Sequence, residues 1–571
     1  MSTSTRSKPA PFHFAWLILL AALSLAAGLG LREPSPPDEP RFVLAAQDMV
    51  SSGQWLFPHR GRELYAEKPP VFMWTQAAAY EVTGNWKVAF LLPSLLAALI
   101  TLWLVHDLSA RLWNRRTAQY ATLALFVCLQ FGLQAKRGQI DMLLVMLTTL
   151  SLWGLLRHLL QGPQWRLLYL GLFAAGVGTV TKGVGFLPVL VLLPWLAARW
   201  QGRVESFAQP NDGWRWLLGV LCFIAGTGVW VVPMLVAVFQ SSDPALQAYA
   251  NDILLKQTGK RYADSWHHVQ PFWYYAQVMM TLWLPGALLL PWLLPAWLRR
   301  LRRGDPRFWL LLGWSALVLL FFSASPGKRE VYIFPMLPAL CVAAAPLLPA
   351  LMQRIVVRRV LFAYLLVLAS VACALAVSAL TGSTTWAHRL ADQRGISDDT
   401  MQVFLFWLLG FGVAVFAILS WARLRHVGSA LVLATAALWL VYGMGLAPAL
   451  DADSSSRGLM QRVGQRIGPD AQLGMVAWRE QNLLQADRPV TDFGFKQSWE
   501  AQWAEAGPWL AADPTRRWVF VLDQAVSPCV DRGQVIDIGQ SNRNRWMLVP
   551  GNAWKPGCVT PAFVEKPVSN P

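Results

Sequence analysis

Asp38 and Glu39 stand side by side, followed by Arg41, in the stretch EPSPPDEPRFVLAAQDMVSSGQWLFPHRGRELYAEKPP from Glu33 to Pro70. Adjacent carboxylates can serve as a general base, as metal ligands, or as acceptors for a hydroxyl group. The same stretch ends in a compact cluster, Glu67-Lys68-Pro69-Pro70. Asp141 follows where Gln139-Ile140-Asp141 enters an apolar run, placed either to share in catalysis or to cap a helix N-terminus. Lys182 interrupts an otherwise apolar stretch between Leu167 and Leu196, and the preceding Gly176 and Gly178 permit close packing around it. Together with Lys68, Arg261 and Lys328 it forms a set of cations of the kind that neutralises a phosphate, arginine doing so bidentately. His267 and His268 precede the aromatic run Phe272-Trp273-Tyr274-Tyr275, and a histidine brought near Glu67 would give a divalent ion, zinc or magnesium, two ligands.

These residues need elements to bring them together. Prolines at both ends of the first stretch favour extended or turn backbone and oppose a continuing helix. Between them, Arg41 to Val50 has helical spacing, with Phe42, Ala45, Ala46 and Met49 on one face. Two polar clusters are thus held apart by a short amphipathic helix just after the first hydrophobic segment. That arrangement suits an anionic lipid head group.

The rest of the chain reads as membrane. Of 571 residues 55% are hydrophobic and 31 are tryptophan. A soluble protein has no way to hide repeated apolar runs of about 20 residues, the length that spans a bilayer. Such runs end near Leu31 and then recur at 88–108, 118–134, 141–160, 167–181, 183–198, 215–239, 273–298, 308–324, 331–351, 359–380, 402–421 and 428–449. The expected fold is an all-α polytopic membrane domain over residues 1–450, with about 13 spans. Its first outward loop covers 32–87. The first run exceeds the apolar core of a signal peptide and is read as an uncleaved span.

Alternate connections carry Arg111, Arg115 and Arg116; Arg157 and Arg166; Arg199 and Arg203; Arg299, Arg300, Arg302 and Arg303; Arg354, Arg358 and Arg359; and Arg423 and Arg425. The positive-inside rule makes that side, and the N-terminus, cytoplasmic. It also accounts for the net charge of +17, so nucleic acid is not an expected partner. Every residue singled out above falls on the opposite, outward side.

The tail, 451–571, also lands outside. Short strand-like runs at Leu473–Trp478, Trp518–Leu522, Val535–Ile538 and Trp546–Val549 alternate with helical patterns at Leu459–Ile467 and Trp499–Leu510, which predicts a small α/β domain. Cys529 and Cys558 lie in this tail on the oxidising side, where a disulfide is expected. Cys128, Cys222, Cys341 and Cys373 lie within apolar runs as packing residues. Neither a P-loop nor a Gly-x-Gly-x-x-Gly turn after a strand occurs, so no nucleotide cofactor is expected.

The motifs Asp38-Glu39-x-Arg41-Phe42, Ser52-Gly53-x-Trp55-x-x-Pro58-His59 and Tyr65-x-Glu67-Lys68-Pro69-Pro70 resemble the first periplasmic loop of bacterial polyprenyl-phosphate glycosyltransferases. These are the ArnT-like (aminoarabinose transferase) and protein mannosyltransferase-like enzymes of the GT-C class. Thr181-Lys182-Gly183, Pro271-Phe272-Trp273-Tyr274-Tyr275 and Gly327-Lys328-x-x-x-Tyr332 match in the same order, so the resemblance runs from about residue 10 to 350. It implies transfer of a sugar, an amino sugar such as 4-amino-4-deoxy-L-arabinose, from undecaprenyl phosphate to lipid A or another envelope glycan or protein. The place implied is the periplasmic face of the bacterial inner membrane. It further implies Asp38 as catalytic acid beside Glu39, Lys68 and Arg261 on the donor phosphate, Glu67 and His268 on a divalent ion, and Lys328 and Tyr332 along the lipid cavity. Pro40 and Phe42 depart from the family's usual residues and bear on the acceptor. The other readings are a protein O-mannosyltransferase, a lipid transporter or flippase, and a scaffold. A transporter predicts paired repeats and broken or charged helices at mid-membrane, which the sequence does not show.

Overall fold

The computed structural model describes residues 14–203, 212–254, 269–394 and 396–563. Among these, seven helices are long and apolar enough to cross a membrane, or up to nine if each of two bent pairs is one span. Three shorter apolar helices, Phe14–Ala26, Leu187–Trp200 and Phe334–Ala344, complete the apolar layer. The apolar runs outnumber these long helices: three runs are the shorter helices, run 167–181 is the separate helix Trp165–Lys182, and others contain breaks that hydropathy does not register. Run 118–134 divides into Arg115–Phe126 and Leu129–Ala135, set 70° apart, and run 273–298 divides into Tyr274–Leu282 and Gly286–Arg302, set 104° apart. Pro285 sits at the second break, where its ring and missing N–H oppose a continuous helix. Run 331–351 becomes three short pieces, Phe334–Met336, Leu337–Ala344 and Leu348–Leu351, each with a proline in its first turn.

The first loop is itself folded. Its amphipathic helix spans Glu39–Ser52 and ends at Gly53, which takes the left-handed conformation (φ 74°) that glycine adopts without strain. Phe42, Ala45, Ala46 and Met49 are buried, the face that the spacing predicts. They pack in one cluster with Phe72 and Met73 of a second helix, Val71–Thr83, and with Ile140, Leu143 and Leu147, while the buried Val43 packs with Phe90 and Leu91. A two-residue hairpin, β1 (His59–Arg60) with β2 (Glu63–Leu64), lies between the two helices.

Helix Trp165–Lys182, which ends in Lys182, is held by glycines. A Cβ on Gly176 would lie 2.2 Å from the Phe223 carbonyl oxygen, and one on Gly226 would lie 2.3 Å from the Phe173 carbonyl oxygen. Only glycine permits this approach between Trp165–Lys182 and Gly213–Gln240.

The C-terminal residues form an α/β unit around a five-stranded sheet of order β4-β3-β5-β7-β6. β3 (Gln472–Val476) pairs in parallel with β4 (Val490–Asp492) and β5 (Arg517–Leu522). β7 (Asn544–Pro550) runs antiparallel to β5 and to β6 (Ile536–Ser541). Four strands match the apolar runs. The fifth, β4, is a three-residue edge strand, Val490-Thr491-Asp492, too short and polar to stand out. Helices Arg457–Ile467 and Trp499–Ala512 flank the sheet, and Trp503, Trp546 and Phe520 are buried in its core. The structure joins Cys529 to Cys558 by a disulfide.

Candidate active site

Asp38 is the N-cap residue of helix Glu39–Ser52, so its side chain projects from a helix end rather than along it. Three groups face it. Arg41, one turn on, lies 3.8 Å from Oδ1; Arg329 lies 3.4 Å from Oδ2; and Gln139 Nε2 donates to Oδ2 at 3.3 Å. These groups come from the first loop, the segment before Ile140–Gln161 and the loop 325–332, so separate parts of the chain meet at one carboxylate.

Glu39, one residue along, has a different environment. Its side chain is 5% exposed and both oxygens are taken. Arg32 donates to Oε2 at 2.6 Å and to Oε1 at 2.7 Å, while the backbone N–H groups of Ser35 and Gly138 donate at 2.8 Å each. Arg32 also donates to the Lys136 carbonyl at 3.0 Å. Glu39 therefore fastens the loop to the 136–138 turn, and its two oxygens are occupied by four donors of the protein itself.

Asp141 is buried and forms an ion pair with Lys182. The Lys182 ammonium lies 5.4 Å from the centroid of the Tyr332 ring, a cation–π arrangement. Asp141, Lys182 and Tyr332 are thus brought together as a set. Arg329 joins this set to Asp38. Burial acts to lower its pKa, but the fields of Asp38 and Asp141 outweigh that and raise it, so it stays cationic.

Lys328 is placed otherwise. Its buried ammonium donates to the carbonyls of Ser325 at 2.6 Å and Gln270 at 3.1 Å, which ties its loop to the chain at 269–271. The cation that this loop offers to Asp38 is the next residue, Arg329. Lys68 is half-buried beside Glu67. Arg261 and His268 lie outside the described residues.

Glu67 faces two guanidiniums, Arg60 at 3.1 Å on Oε1 and Arg41 at 3.5 Å on Oε2. Burial acts to raise its pKa, yet Arg60 and Arg41 hold it below the usual carboxylate range. A carboxylate so placed already has its countercharge, which does not fit it as a metal ligand. Among the described residues, no group of three or more His, Cys, Asp or Glu side chains converges. The same two arginines reach Glu480, 3.0 Å from Arg41 and 3.2 Å from Arg60.

An apolar cavity of about 1020 Å³ is walled by residues such as Cys128, Met279, Trp283, Leu290, Leu340 and Leu431, with Arg358, Arg425 and His426 also in its lining. One wall residue, Trp283, links it to the loop that carries Arg329. Trp283 Nε1 donates to Gln130 Oε1 at 2.6 Å, and Gln130 Nε2 donates to the Glu330 carbonyl at 2.9 Å.

Arg329, Gln139, Arg60 and Glu480 were not singled out in the sequence. Arg329 has a faint signal, since it stands three residues before Tyr332 in the matching motif. Glu480 has none.

Residues 67–231 match the family model for dolichyl-phosphate-mannose-protein mannosyltransferases, and residues 262–394 match the Alg9-like mannosyltransferase family. An undecaprenyl phosphate-alpha-4-amino-4-deoxy-L-arabinose arabinosyl transferase of Pseudomonas fluorescens is 32% identical over 318 residues, covering 54% of this chain and 51% of that protein. The corresponding enzyme of Pseudomonas savastanoi is 30% identical over 337 residues, covering 57% and 60%. The chain thus spans about half the length of the curated relatives it matches. The crystal structure of ArnT from Cupriavidus metallidurans bound to undecaprenyl phosphate superposes with a TM-score of 0.70, covering 95% of this chain and 98% of that one at 21% identity. The chain has the fold of ArnT. Its apo form agrees, with a TM-score of 0.69. The superposition covers nearly the whole chain. It takes in the later apolar helices and the tail, where the sequence motifs fade.

Proposed function

We propose that this protein is a membrane glycosyltransferase moving a sugar from undecaprenyl phosphate to lipid A or another envelope acceptor at the periplasmic face of the bacterial inner membrane. The sugar is 4-amino-4-deoxy-L-arabinose or a related amino sugar. The observation that carries this reading is the meeting of Asp38, Arg41, Arg329, Asp141, Lys182 and Tyr332, tied through Glu330 and Gln130 to Trp283 in the wall of an apolar cavity. The named activity of the curated relatives supports it.

The leaving group of such a donor is a phosphate ester, and negative charge grows on it as the glycosidic bond breaks. Arg329 and Lys182, held by Asp38 and Asp141, are preorganised cations for that charge. Lys68, Lys328 and Arg261 stand as candidates for the rest of the phosphate site. Asp38, in contact with water and within reach of two guanidiniums, is the group to accept a hydroxyl proton or to place an acceptor that is already an anion. Asp141 orients Lys182, and Glu39 positions the loop that presents Asp38. The apolar cavity fits prenyl or acyl chains. No step is assigned to a metal, because Glu67 faces two arginines.

The test is transfer in proteoliposomes with undecaprenyl-phosphate aminoarabinose as donor and lipid A as acceptor. Asp38→Asn is expected to lower turnover by about 100-fold or more, the scale of losing an acid–base group. Turnover unchanged by that substitution would overturn the assignment. Mass spectrometry of lipid A from cells with and without the protein identifies the added sugar.

A further inference from the structure

Glu480 is the first residue of a short helix, Glu480–Leu484, in the C-terminal domain, and lies hundreds of residues from the first loop. Its side chain is 7% exposed, and one oxygen, Oε1, accepts from both Arg41 Nε at 3.0 Å and Arg60 Nη1 at 3.2 Å. The same arginines hold Glu67, Arg60 through Nη2 at 3.1 Å and Arg41 through Nη1 at 3.5 Å. Two guanidiniums and two carboxylates close a ring, and the ring touches the reactive end of the loop because Arg41 Nη1 is also 3.8 Å from Asp38 Oδ1. The same domain supplies Phe495, whose ring centroid is 3.7 Å from the Arg60 guanidinium carbon.

We propose that the C-terminal domain takes part in catalysis, and that Glu480 is the positioning residue through which it acts. This rests on the transferase reading above. A guanidinium is planar, so fixing Nε fixes the plane and thereby the direction of Nη1. With Glu480 on the Nε edge, Nη1 of Arg41 is aimed between Glu67 and Asp38. Without it, Glu67 is the remaining carboxylate that Arg41 and Arg60 share, and the Nε edge of Arg41 loses its anchor. A carboxylate needed only to glue two domains belongs at the solvated rim. Glu505, paired with Arg62 at 2.7 Å, is such a contact, with side chains 51% and 42% exposed. Glu480 is instead desolvated next to the reacting group, where orientation counts most.

The experiment measures donor and acceptor kinetics of the full-length protein in proteoliposomes, with thermal midpoints, for wild type, Asp38→Asn, Glu480→Gln, Glu480→Asp and Phe495→Leu. Glu480→Gln is expected to lower kcat by about 10- to 100-fold with donor KM within about twofold of wild type, the pattern of a lost orientation. Glu480→Asp keeps the charge and is expected to recover most of kcat. Glu480→Gln with kcat within about twofold of wild type overturns the proposal. So do equal losses in Glu480→Gln and Glu480→Asp that track a fall in thermal midpoint, which mark a purely structural residue. Phe495→Leu leaves every ion pair in place and is expected to keep kcat within about twofold of wild type; a loss there as large as in Glu480→Gln assigns the effect to domain packing and overturns the role. If Glu480→Gln does not fold, Arg41→Lys, measured in the same way, decides: it keeps the charge but has no planar fork for Glu480 to orient, so kcat within about twofold of wild type overturns the role and a fall in kcat at constant donor KM supports it. A wild type without transfer overturns the transferase reading and this role with it; an active wild type indifferent to Glu480 overturns this role alone.

Discussion

Asp38 and Glu39 are adjacent acids with opposite fates, and hydrogen bonding explains the difference. Glu39 accepts from Arg32, Ser35 and Gly138 and has no free lone pair aimed at a cavity. Asp38 meets two cations and an amide at 3.3–3.8 Å and keeps 17% of its side chain exposed. Removing Glu39 strands a buried guanidinium and two backbone N–H groups. Glu39→Ala is therefore expected to cost about 3–5 kcal/mol of stability, the usual cost of breaking a buried pair from one side. Asp38→Asn removes only long, part-exposed contacts and is expected to cost about 1 kcal/mol or less. Chemical denaturation of the two variants in detergent checks this contrast; equal losses would place both acids in the same structural role.

Elements carry the next level of constraint. The C-terminal domain closes a loop between Cys529 and Cys558, separated by 29 positions. On the loop-entropy account such a link contributes roughly 3–4 kcal/mol. The double substitution Cys529→Ser with Cys558→Ser is expected to lower the domain's unfolding free energy by that amount. It is also expected to leave the melting of the helical part in place, which hydrogen exchange resolves by segment. Because Glu480, Phe495 and Lys496 of this domain contact the first loop, loosening it also frees Arg41 and Arg60. The first-loop helix was legible because its buried face, Phe42 to Met49, repeats at helical spacing. The helix Val71–Thr83 that follows was not. Its buried Phe72, Met73 and Gln76 mix types, and it begins directly after two prolines that read as a turn.

At the scale of the whole molecule, we propose that the arginine-rich connectors face the cytoplasm and the polar cluster with the C-terminal domain the opposite side, as the positive-inside rule requires. A single cysteine at Arg425 is expected to resist a membrane-impermeant maleimide in intact spheroplasts, while one at Lys555 in the tail is expected to react. The reverse pattern would invert the orientation and place the polar cluster inside the cell. Among the described residues the apolar runs outnumber the long unbroken helices, since a break such as that at Pro285 leaves hydropathy unchanged while the helix axis turns by 104°.

The sequence by itself determined the membrane class, the first-loop helix and the α/β tail with its cysteine pair, and it singled out Asp38 as a candidate acid. Each of these depends on local periodicity, composition or a short motif, which a linear chain displays directly. Only the tertiary structure decided which cation meets which acid: Arg329 rather than Lys328 on Asp38, Arg32 on Glu39, Lys182 on Asp141, and Glu480 on Arg41 and Arg60. The physical reason is that a charge pair is fixed by a few ångströms in space. Residues separated by a whole domain, or neighbours pointing opposite ways from one loop, carry the same letters whichever partner they meet.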